Sequence, residues 1–384
     1  MKKYILFILI LFVCFGCNKS KTITFVSDGK VVKTVDVNDF EEYIPEKENH
    51  NFLGWYLDKE YINEFTDELE INDNISLYAK WKEHTDISLF TFEVIGDEQL
   101  KIVDFIFDNF NDKVIILPDK AFGKKVTELG AVFQNNEVIE EIILPKDLKI
   151  IDDEAFSNMI NLEKIILPKG LIKIGKEAFF NTKSLKGIVI PGSIEYLGYK
   201  TFMNSGIEIV RVEEGVTYIP ESMFENCKSL ILIDLPKSIL EIDARAFYNC
   251  RSLLNIDIPN GVRKIEYQTF YGCNNLIEVS LPNSLEVVEY SAFENCRNFT
   301  VLLIPSNTRK IEKRAFYNNR FTTMILPDGI LEMGDEAFFQ APTKTIPIYI
   351  YFQGKSIPTE WSSYWINVLE YADILYEFYP NVYN

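Results

Sequence analysis

The chain has 384 residues, 47% apolar and 25% charged, the balance of a folded soluble body with room for two or three domains. It carries 57 acidic against 39 basic side chains, a formal charge of −18, which argues against nucleic acid as partner because a phosphate backbone needs Lys and Arg to replace its counterions. The same balance gives no general attraction to anionic lipid. Only two histidines occur, His50 and His84, so a site built on several imidazoles is excluded.

The first stretch, MKKYILFILILFVCFGC, places two lysines before an apolar run from Tyr4 to Gly16. As a helix this run rises about 20 Å, short of the roughly 30 Å hydrocarbon core, so it reads as an export signal rather than a span. With Gly16 before Cys17 it resembles a bacterial lipoprotein signal. The resemblance implies that residues 1–16 are removed, that Cys17 is acylated and that 17–21 link the lipid to the body. The body is then held at the membrane on its extracellular side. An uncleaved anchor or plain secretion would export the same body.

Residues 22–82 form the next unit. TITFV and KVVKTVDV alternate as strands do, joined by a turn at Asp28-Gly29, and SLYAKW closes the unit as a further strand. Trp55 and Trp81 are expected in its core rather than as ligand platforms. FLGWY followed by LYAKW resembles the Listeria–Bacteroides repeat, which implies a small β-grasp-like extracellular module and no catalysis.

From about Leu89 onward the texture changes. Pro236, Pro259, Pro282 and Pro305 recur every 23 residues, and a phenylalanine column keeps step from Phe133 to Phe338. One period in about ten copies predicts a solenoid, mostly β, with short strands and short helical turns. In the copy LPKSILEIDARAFYNCRSLLNIDIPNG, the expected inward residues are Ile239, Ile242, Ala246, Phe247, Leu253, Ile256 and Ile258. These cannot by themselves offset the entropy of ordering one copy, so each copy needs its neighbours. The pattern LP…I..I…AF.NC.SL..I resembles the BspA-like leucine-rich repeat, or Treponema pallidum type, which implies a bacterial surface protein with a binding or adhesive role. The solenoid is expected over 118–341, with 83–117 as linker and N-terminal cap and 342–384 as C-terminal cap.

Cys227, Cys250, Cys273 and Cys296 stand in one column, each three residues after a phenylalanine. Identical places in stacked coils lie about 4.8 Å apart, within the Cα range of a disulfide, but their Cβ atoms point in parallel. Zinc wants four ligands around a point rather than a row. The row, with Phe247 and Phe270, is therefore read as a structural ladder, disulfides being second and metal third.

No P-loop, G-x-G-x-x-G, H-E-x-x-H, G-x-S-x-G or EF-hand loop occurs, so the chain is read as no enzyme, with no cofactor. Binding remains. One candidate face is the outward row of the strand before each proline, where Arg211, Asp234 and Asp257 form a polar middle between apolar ends. The other is the aromatic column of Phe180, Tyr248, Tyr271 and Tyr317, which serves equally well as cover for the coil beneath. The expected function is a non-catalytic surface binding protein, adhesin-like, for a protein or glycan partner. A structural spacer is the alternative, and a surface enzyme the third reading.

Overall fold

The computed structural model describes residues 21–40, 43–45, 47–66, 69–108, 110–340, 348–366 and 372–376. The expected export signal and Cys17 lie outside the described residues. The chain divides into two compact units, one ending at Glu83 and the other beginning at His84.

In the first unit β1 (Thr22–Ser27) and β2 (Lys30–Asp36) form a hairpin. Its turn residues Asp28 and Gly29 both take positive φ, as a two-residue hairpin loop requires. β4 (Ile75–Glu83) lies parallel to β1 and antiparallel to β3 (His50–Tyr56), giving the order β2-β1-β4-β3. The grasp-like sheet has a parallel centre, and among the described residues the connection after β2 carries a 3-10 turn, Val37–Asp39. Ile23, Phe25, Trp55, Leu77 and Ala79 are its buried core. Trp55 lies within that core and donates its indole N–H to the Tyr43 carbonyl at 2.7 Å, while the half-buried Trp81 donates to Ser27 Oγ at 3.0 Å.

The second unit is a parallel β-solenoid begun by a hairpin. β5 (Phe90–Gly96) and β6 (Gln99–Phe105) pair antiparallel, and β6 then pairs parallel with the first long coil strand, Lys124–Leu129. Each later coil contributes two short strands, so two rows of parallel strands run along the solenoid. In one row Ile151 is level with Ile174, and that with Leu197. In the other Ile188, Val210 and Ile233 are level. The seven inward residues expected for the copy around Phe247 are all at most 5% exposed.

The corner between the two strands differs from the expected helical turns. Tyr248 N–H bonds the Arg245 carbonyl and Cys250 N–H bonds that of Phe247, both i to i+3 closures, but no regular helix propagates. The reason is local: Arg245 and Asn249, two residues either side of Phe247, sit at φ 57° and 58°, left-handed positions that interrupt any helix. The second of these sites is asparagine in most coils, the non-glycine residue that tolerates this region best. Its amide also ladders: Asn158 donates to Asn135 (3.0 Å), Asn181 to Asn158 (2.9 Å) and Asn249 to Asn226 (3.1 Å).

Departures from the repeat have local explanations. Thr308 occupies an apolar place and is fully buried, its hydroxyl donating to the Leu285 carbonyl at 3.3 Å. Glu213, where most coils have proline, uses the N–H that proline lacks to bond the Ile190 carbonyl at 2.9 Å. Beyond Phe338 a further coil follows, in which Trp365 takes the place just before the phenylalanine: Phe338 N–H bonds the Trp365 carbonyl at 2.8 Å, as Phe316 N–H bonds that of Ala337.

Candidate binding surfaces of the solenoid

The interior holds the surface in register. From Phe133 to Phe338 successive rings lie 5.0–6.2 Å apart, tilted by no more than 29°. Beside this file run the four cysteines, all free and fully buried. Each thiol donates to the carbonyl of the preceding coil's phenylalanine: Cys227 to Phe202, Cys250 to Phe224, Cys273 to Phe247 and Cys296 to Phe270, at 3.0–3.2 Å. Burial pushes the Cys227 thiol up to about 12 and holds Cys250 and Cys296 well above their ordinary value. Thiolate chemistry is therefore shut off along the row. Among the described residues no group of three or more His, Cys, Asp or Glu side chains is placed to hold a metal ion.

With the interior fixed, alternate strand residues must face water. The strand Leu232–Asp234 is exposed, buried, exposed, and Val189, Arg211 and Asp234 stand level in adjacent strands. Arg211, Asp234 and Asp257 are exposed, Asp257 accepting from the Ser280 hydroxyl of the next coil. Around these polar groups lies an apolar ribbon that the sequence analysis did not single out. Ile209, Ile231, Leu232, Leu254, Ile277, Val301 and Leu303 are 41–58% exposed and span five successive coils. Ile231, Leu254 and Ile277 repeat every 23 residues just ahead of the strand, and that period was the available signal. It was masked because an apolar residue beside a strand ordinarily reads as core.

The aromatic column is arranged differently. Phe180, Tyr248, Tyr271 and Tyr317 are each half-buried. Tyr248 and Tyr271 stack at 4.8 Å, and Tyr317 stacks on Phe339 at 5.0 Å. The outer faces of two rings are covered by guanidinium groups, Arg245 at 4.5 Å from Tyr248 and Arg314 at 4.0 Å from Tyr317. Those arginines in turn pair with Glu225 (2.8 Å) and Glu294 (2.9 Å), carboxylates only 7% and 6% exposed. A buried carboxylate without such a partner would be costly, so the arginines hold the column to the body.

A regular coil, two rows of parallel strands and a continuous leucine, isoleucine and phenylalanine interior define a leucine-rich repeat solenoid. The family model described as the BspA type leucine rich repeat region matches residues 127–254 and 240–354, and the chain belongs to that family. The Listeria-Bacteroides repeat domain matches residues 22–80. Both repeat types are typical of surface proteins, and leucine-rich repeat proteins are generally non-catalytic.

Among solved structures the chain is similar to a Treponema pallidum leucine rich repeat protein, at 26% identity and a TM-score of 0.41, over 56% of this chain and 90% of that one. It is also similar to a leucine rich cell surface protein of Faecalibacterium prausnitzii, at 19% identity and a TM-score of 0.40, over 66% and 90% of the two chains. The pneumococcal vaccine antigen PcpA is 20% identical with a TM-score of 0.42, over 75% and 91%. A protein of Evansella cellulosilytica named as a membrane protein is 38% identical over 92 residues, which are 22% of this chain and 13% of that relative. The chain thus spans a small part of that relative's length.

Proposed function

We propose that the protein is a non-catalytic cell-surface binding protein whose solenoid docks a protein partner on the strand face, between the coils of Phe202 and Phe293. The observation that carries this reading is the apolar ribbon. Seven large aliphatic side chains in one band, edged by Asp234 and Asp257, form the kind of patch that marks interaction sites rather than inert surface. Aliphatic anchors with a charged rim match the anatomy of protein interfaces, and the rim of Arg211, Asp234 and Asp257 favours a partner with complementary charges around an apolar centre.

The export signal supports a lipid anchor at Cys17, which holds the body outside the cell. A palmitate label on Cys17 with globomycin-sensitive processing is the expected result; an unlabelled, freely secreted chain would exclude the anchor.

Docking is tested by probing arrays of extracellular proteins with the full chain and with the triple substitution Ile231→Asp, Leu254→Asp, Ile277→Asp. These side chains already meet water, so the fold tolerates the change, and binding should fall at least about tenfold. A variant that binds like the parent chain, or arrays that stay blank, would return the solenoid to the role of a spacer.

A further inference from the structure

The opposite corner of the coil, between the second strand and the asparagine ladder, carries a different chemistry. Four successive coils each present tyrosine there: Tyr248, then Tyr267 with Tyr271, then Tyr290, then Tyr317. The rings are rigid. Tyr267 stacks on Tyr290 at 5.8 Å with an 11° tilt, alongside the Tyr248–Tyr271 pair at 4.8 Å and 6°.

Each stack covers one face of its rings, and Arg245 and Arg314 lie over Tyr248 and Tyr317, so part of each ring, with its edge and hydroxyl, is left toward water. None of Tyr248, Tyr267, Tyr271 and Tyr317 is buried, and among the described residues no hydrogen bond joins their hydroxyls to the protein, whereas Tyr290 lies against Arg314. The corner is thus a line of phenol groups, one or two per coil, at the interval of the coils themselves.

Charge narrows the ligand. Arg245 and Arg314 are spent on Glu225 and Glu294. Along the edge, Glu289 accepts the Tyr267 N–H at 2.9 Å and Glu312 the Tyr290 N–H at 3.1 Å, while Lys264 bridges Glu266 and Glu289. Lys313, next in the Tyr267–Tyr290 row, is followed in that row by Asp335. Lys313 aside, the cations along this corner are paired with carboxylates, and phenols and carboxylates together suit a ligand made of hydroxyl groups.

We propose that this tyrosine corner binds a neutral β-1,4-linked polysaccharide lying along the solenoid axis. Such a chain is an extended ribbon whose rings follow one another at close to the coil interval with alternate rings turned over. Neighbouring sugars therefore lie over neighbouring coils, Tyr248 and Tyr271 in one column and Tyr267 and Tyr290 in the other. Each contact is weak, and the line of contacts supplies affinity through effective concentration. Rigid tyrosines lose little side-chain entropy on binding, which favours weak repeated contacts of this kind. The proposal concerns a surface separate from the apolar ribbon and does not depend on it.

The experiment is calorimetry on the full chain with cello- and chito-oligosaccharides of two to six units. Affinity should rise about tenfold between two and four units and then level off, because the tyrosine line spans four coils. The substitutions Tyr267→Phe and Tyr271→Phe keep the stacks and remove two hydroxyls, so binding should weaken about tenfold with the thermal midpoint unchanged. Leu254→Asp on the strand face should leave it intact. No binding, affinity independent of length, tighter binding to a carboxylated or sulfated glycan, or an unaffected double variant would each overturn the proposal.

Discussion

The two units pack their aromatic residues differently. In the first, most rings meet edge to face around one centre, Phe25 and Trp55 at 64°, Phe52 and Trp55 at 63°, Phe52 and Trp81 at 66°, although Phe25 also lies at 13° to Phe40 and Tyr43 at 24° to Trp55. In the solenoid, identical rings lie face to face in file, as Phe293 and Phe316 do at 1°. Where the backbone does not repeat, rings are free to take the edge-to-face arrangement that their quadrupoles favour, and most do. Where it does, the same rotamer on the same backbone forces rings parallel, and the quadrupole penalty is offset by burial. The file ends where repetition ends, with Phe107 turned 84° to Phe133 at one end and Trp365 turned 89° to Phe338 at the other.

This contrast predicts where damage spreads. Phe247→Ala should cost about 3–5 kcal/mol and lower the solenoid's unfolding transition, because each coil is stabilised by its neighbours. Trp55→Ala should cost a similar amount, about 3–5 kcal/mol, yet lower only the transition of the first unit. Denaturant unfolding followed by hydrogen exchange resolves the two. If Phe247→Ala loosened a single coil and left the others at parental protection, the stacked-coil account would fail.

A smaller effect sharpens the thiol row. In the coil of Phe316 its place is taken by Asn319, buried at 1% exposure with both amide atoms unpartnered. A buried polar group left unpaired costs about 1–3 kcal/mol, so Asn319→Cys should stabilise the chain by about that amount. An unchanged or lowered midpoint would show that the thiol-to-carbonyl bonds elsewhere in the row are not favourable.

The smallest effect concerns reactivity. Residues 21–384 hold four cysteines, all buried in the row, and burial raises the Cys227 thiol to about 12. At pH 8 the reactive thiolate is therefore scarce, and a thiol reagent should label native protein only as fast as it unfolds. After denaturation without reductant the count should reach four. Fewer would reveal bridges.

Much of this was readable from particular residues. The phenylalanine period marked the interior, the prolines marked the strand ends, and Asp28-Gly29 marked a hairpin. The corner was misread as helix because AF.NC carries helix-compatible residues. The signal against helix was the asparagine, whose left-handed conformation becomes necessary only once the chain must turn back to the next coil. Arg245 and Arg314 gave no hint of their buried carboxylates, since the partner lies 20 residues earlier, in a different coil.

By itself the sequence determined which residues face inward, because period and polarity along the chain are enough to separate the two sides of a strand. Only the tertiary structure decided what the outward residues mean. Whether a tyrosine shows its face or its edge, and whether a leucine beside a strand is core or ribbon, depends on the neighbouring coil, which is remote in sequence and about one strand spacing away in space.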